Sequence, residues 1–112
     1  VTAYQKHLGL HDQLGVTNEQ HEKLTPIESK FAIKKEELQK QIDEANKELA
    51  MAITQEESFT PRVAAAVDKI HITHGKLQKA TLEHLFEMHS VLTPEQRKKL
   101  NSLTTDALTH NP

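Results

Sequence analysis

Apolar residues recur along most of this chain at intervals of three, four and seven, the spacing that lines one stripe of an α-helix. The clearest row is Leu24, Phe31, Leu38, Ile42, Ala45, Leu49 and Ala52, and a second comprises Val63, Val67, Ile70, Leu77 and Val91. Such spacing marks a coiled-coil-like seam. Polar residues interrupt both rows. Glu28 occupies a position of the first where an apolar residue belongs, and the register of the second places His74, Thr81, His84 and Met88 inside.

Start and stop signals divide the pattern into four helices. Thr17 precedes Gln20, and Thr93 precedes Gln96, by three residues, the capping-box arrangement that satisfies free amides at a helix start. Pro94 suits a first helical position, where its missing amide proton costs nothing. The signals predict a short helix over Thr2 to Leu14 ending near Gly15, and a long one from Asn18 to Ile53. A polar turn over Thr54 to Thr60 follows, then helices from Pro61 to Ser90 and from Pro94 to Thr109. The expected fold is all-α, a single domain over residues 1–112 built on two long antiparallel helices.

A short turn between the long helices makes their facing register predictable. With the turn centred near Ser58, residues whose numbers add to about 116 lie opposite each other, so Glu28 faces Met88 and Phe31 faces His84. The first helix is also joined by a short link and is expected to fold back. That would carry His7 and His11 to the open end of the hairpin, beside Glu28, His84 and Met88.

Composition narrows the reading. Only 36% of the 112 residues are hydrophobic and 4% aromatic, a thin core that a second copy is expected to cover as a homodimer. A net charge of −2, with lysines and glutamates interspersed as in Lys34-Lys35-Glu36-Glu37, argues against nucleic acid as a partner. There is no cysteine, so any metal must be held by imidazole, carboxylate or thioether. No apolar run spans a membrane, and the chain opens on Val1, as a processed form or an excised fragment does, so an upstream anchor or signal would lie out of view.

His7 and His11 stand four apart, as do His84 and Met88, each pair on one helical face. With Glu28 they form a candidate first coordination set of three imidazoles, a carboxylate and a thioether. Five or six mixed donors suit nickel or cobalt, while zinc, which prefers four ligands, would compete. Each residue also has an ordinary reading: Met88 as core, His84 as a bonded core histidine, and Glu28 as a capping residue after Thr25-Pro26. Only the convergence of all five favours a metal site. His71 and His74 are three apart and offer a weaker second pair, whereas His21, His89 and His110 are expected to face solvent.

The stretch Ala80-Thr81-Leu82-Glu83-His84-Leu85-Phe86-Glu87-Met88, with the His7–His11 spacing and Glu28 in matching order, resembles the CnrX/NccX-type periplasmic cobalt–nickel sensors of heavy-metal resistance. More distantly, the Thr-x-x-Gln helix starts resemble the repeats of the CpxP, Spy and ZraP stress proteins. The first resemblance implies a four-helix hooked hairpin that dimerises in the periplasm, anchored to the inner membrane. It also implies nickel or cobalt sensing through His7, His11, Glu28, His84 and Met88. A membrane-bound anti-sigma factor would be the partner, and release of an extracytoplasmic-function sigma factor would switch on an efflux operon. Two residues depart from easy geometry: Pro26 lies inside the expected second helix, where it is expected to kink or restart it, and Gly9 weakens the first.

The expected mechanism is a metal-driven lock, in which coordination by His7 and His11 pins a marginal first helix to the hairpin. Met88 would discriminate between ions, since a signal requires different affinities in two states. A periplasmic chaperone of the CpxP, Spy or ZraP kind is the competing reading. No nucleophile–base pairing or phosphate loop is visible, so an enzyme is not expected.

Overall fold

The computed structural model describes residues 13–110 of the chain. They form three helices: α1 (Asn18–Glu56), α2 (Pro61–His89) and α3 (Pro94–His110), with no strand among the described residues. The all-α class therefore holds. Of the predicted first helix only Gln13 and Leu14, both with helical backbone, fall within the described residues; Gly9 and the rest lie outside them. Gly15 follows with φ 66°, the left-handed conformation that ends a helix and that glycine adopts without penalty. No described helix is long and apolar enough to cross a membrane.

The packing divides into two compact units, one of Glu28–His84 and one of the described residues up to Ile27 together with those from Leu85 onward. In the Glu28–His84 unit, α1 and α2 run antiparallel through the turn at residues 57–60. The first helix ends at Glu56, three residues past the predicted boundary. Its last turn is held by the returning helix: Arg62 Nε donates to Glu48 Oε1 at 2.9 Å, its guanidinium also donates to Gln55 Oε1, and Glu56 lies 3.9 Å away. Glu57, at φ 52°, then breaks the helical path. Thr60 caps α2, its Oγ1 accepting from the Val63 amide at 3.4 Å and its carbonyl from the Ala64 amide at 3.0 Å.

Pro26 neither breaks α1 nor restarts it, because the helix is continuous from Asn18 to Glu56. Thr25 Oγ1 donates to the His21 carbonyl at 2.9 Å, a bond of a helix interior. Thr25 is therefore no cap, and the capping role open to Glu28 in the sequence falls away.

The seam of α1 is the expected one, with Leu38, Ile42, Ala45 and Ala52 buried. That of α2 differs. Val63, Ala66, Thr73, Ala80 and His84 are buried, whereas His74 and Thr81 are exposed. The sequence row took the wrong neighbour at alternate positions because Ala66, Thr73 and Ala80 are small and weakly hydrophobic. Small side chains are what a closely approaching helix requires. Thr73 is tolerated inside because its hydroxyl donates to the Lys69 carbonyl at 2.8 Å.

In the other unit, Leu14, Leu24, Leu85, Met88, Leu92 and Leu100 form one buried cluster, flanked by Val16, Ile27 and Val91. Both capping boxes are present. The Thr17 amide donates to Gln20 Oε1 at 2.9 Å and the Gln20 amide to Thr17 Oγ1 at 3.1 Å; Thr93 and Gln96 repeat this at 3.0 and 3.2 Å.

The two boxes also bond each other. Gln20 Nε2 donates to Gln96 Oε1 at 2.7 Å, and Gln96 Nε2 returns to Gln20 Oε1 at 3.0 Å. The second proton of each amide reaches a carbonyl two residues before the other box, Val91 for Gln20 and Gly15 for Gln96. Each side-chain amide thus uses both donors and accepts twice, a closed network with local two-fold character.

Candidate metal centre

Within the Glu28–His84 unit, the imidazole of His84 is 7% exposed, and both of its nitrogens are shut off from solvent. Phe31 lies flat on it, ring centroids 4.3 Å apart and planes 8° from parallel. This is the contact that the facing register predicts. Stacking engages the face of the imidazole and leaves the edge, where both nitrogens sit, for partners lying in the ring plane. Glu28 belongs to the same unit and is half-buried, one turn of α1 before Phe31.

Helix α2 continues without interruption from His84 to Met88, four positions on. Met88 lies in the other unit, 2% exposed within the leucine cluster. A thioether in such surroundings is dry, which suits soft ligation and apolar packing equally. His7 and His11 fall outside the described residues. Among the described residues, no three His, Cys, Asp or Glu side chains gather as they would around an ion.

The donors that are described fit a borderline transition metal in kind. They are an imidazole stacked on Phe31, a buried thioether and a half-buried carboxylate.

The remaining histidines sort by environment. His21, His71 and His74 are exposed. His89 departs from the expectation that it faces solvent: it is half-buried, its Nε2 lies 2.9 Å from Asn101 Oδ1, and the Phe86 ring meets it edge-on at 5.3 Å. Its own carbonyl accepts from Arg97 Nε at 2.7 Å. The side chain of His110 lies outside what is described. Sequence reasoning saw each Thr-x-x-Gln box but not their mutual pairing, although two identical boxes 76 residues apart were the available signal.

His84 and Met88, buried and four positions apart on α2 of a cysteine-free helical chain, are side chains of the kinds that transition metals accept. Residues 2–99 match the heavy-metal resistance family, and the chain belongs to it. It is 35% identical over 99 residues to the nickel and cobalt resistance protein CnrR of Cupriavidus metallidurans, an alignment covering 88% of this chain and 67% of that relative.

Proposed function

We propose that this chain is the metal-sensing domain of a nickel or cobalt resistance system, acting in the periplasm as a homodimer. It would report to a membrane-bound anti-sigma factor that controls an efflux operon through an extracytoplasmic-function sigma factor. The observation that carries this is the buried His84 ring, clamped face-on by Phe31 and followed one turn later by buried Met88. Membership of a metal-resistance family and the name of the relative supply the ions. Zinc is the competing ion, and the chain is not an enzyme on this reading.

His84, Glu28 and Met88, together with His7 and His11, would hold the ion. Bound there, it would tie the leading segment to the long helices. The protein's own part is preorganisation. Phe31 fixes the plane of His84, and the leucine cluster keeps the sulfur of Met88 dry. The Gln20–Gln96 network fixes the backbone at Val91, three residues after the sulfur.

Calorimetric titration of the metal-stripped chain with nickel, cobalt and zinc tests the reading. One ion per chain is expected, with His84→Ala weakening all three by at least about 100-fold, the upper end of the losses seen for partners that merely orient a ligand. Met88→Leu is expected to erase the nickel and cobalt preference while zinc affinity is retained. Equal discrimination in that variant would remove the sulfur from the mechanism. Aggregation of a model client suppressed without any metal dependence would favour a chaperone instead. Exposed Phe59 and Ile72, both in the Glu28–His84 unit, are apolar side chains such a chaperone would use.

A further inference from the structure

We infer that His71 and His74 form a second transition-metal site on the exposed face of α2, a two-imidazole chelate that takes copper(II) ahead of nickel and zinc. The inference does not depend on the sensor reading. His74 is ten residues from His84 on the same helix, about 15 Å along the axis, and it is exposed where His84 is buried. One ion cannot reach both.

Residues three apart on a helix are surface neighbours, with Cβ atoms about 5–6 Å apart, so two imidazoles can meet one ion in adjacent coordination positions. Both rings are exposed and already share one face. Between that face and Gln78, one turn on, lies Gly75. A side chain there would meet nothing within 4 Å, so packing within the described residues does not require glycine, the weakest helix former after proline. His71, His74, Gly75, Leu77 and Gln78 line one shallow, solvent-open depression on this face.

Among the described residues no third His, Cys, Asp or Glu joins the pair. Water must complete the shell. That incomplete nitrogen set decides the ion. Copper(II) stands highest in the affinity order and accepts a tetragonal shell with two strong nitrogens and weaker oxygens. Zinc favours four protein ligands and gains least.

Copper(II) alone is the probe. In the chain with His7, His11 and His84 all changed to alanine, one copper per chain is expected to remain, its electron paramagnetic resonance signal split by two imidazole nitrogens. Adding His71→Gln and His74→Gln is expected to weaken that binding by at least about tenfold. Unchanged binding, or none in the triple-alanine background while its helical circular dichroism is intact, overturns the proposal. In the unmodified chain, copper(II) added beyond the one equivalent that the first site can take should broaden the amide resonances of residues 70–79. Broadening confined to other segments would also overturn it. Failure of nickel to bind would count against the sensor reading and leave this result legible.

Discussion

The Phe31–His84 stack joins a half-buried phenyl to an imidazole whose nitrogens are hidden from water, so one contact serves packing and ring orientation together. Phe31→Ala should therefore cost about 2 kcal/mol in urea unfolding, below a fully buried phenylalanine, and free the ring to tilt. Nickel affinity should fall about tenfold in the same variant, the scale of an orienting partner rather than a ligand. Met88→Leu separates two roles that burial alone leaves joined. A swap of similar volume should change stability by less than about 1.5 kcal/mol, so a lost nickel preference would report the sulfur and not the core. At this scale the sequence was informative where side chains are large. The facing register placed Phe31 opposite His84, and Glu28 is half-buried as its row position implies. It misled where they are small: Ala66, Thr73 and Ala80 form the α2 seam, and Thr73 is buried only because its hydroxyl finds the Lys69 carbonyl.

Among elements, the long helices were legible from period and caps, and their starts at Asn18, Pro61 and Pro94 are those predicted. The misplaced end of α1 arose from tertiary bonds: a polar run reads as a turn until Arg62 anchors Gln55 and Glu48. The glutamine pairing was hidden for a related reason, since a capping box is local and its partner lies 76 residues away. Because each amide satisfies the other, Gln20→Ala and Gln96→Ala should each cost about 2 kcal/mol by leaving polar groups unpaired. The double variant should lose less than the sum, with a coupling of about 1 kcal/mol in a denaturation cycle. Additive losses would mean two independent caps. Gly75→Ala tests the opposite case. With open space where its Cβ would go and ordinary helical surroundings, it should stabilise α2 by about 0.5–1 kcal/mol and raise the melting temperature.

For the whole molecule, the sequence put five candidate donors in one place, whereas the described residues hold three of them, Glu28 and His84 in one compact unit and Met88 in the other. How many imidazoles join an ion is then a question that proton counting answers without coordinates. An imidazole must be neutral to coordinate, so binding displaces protons once the pH falls below an ordinary imidazole value of about 6.5. The sign follows directly: nickel affinity is highest above that pH and weakens as the medium acidifies. If His7 and His11 bind, affinity should fall between pH 7 and pH 5.5, up to about tenfold per imidazole that must lose a proton for each unit below 6.5. Calorimetry at pH 5.5 in buffers of different ionisation enthalpy reads the protons released per ion directly. More protons are expected to be released per ion by the native chain than by the chain with His7 and His11 changed to alanine. Equal release from the two chains would mean that the leading histidines take no part in holding the ion, and the lock would lose its latch.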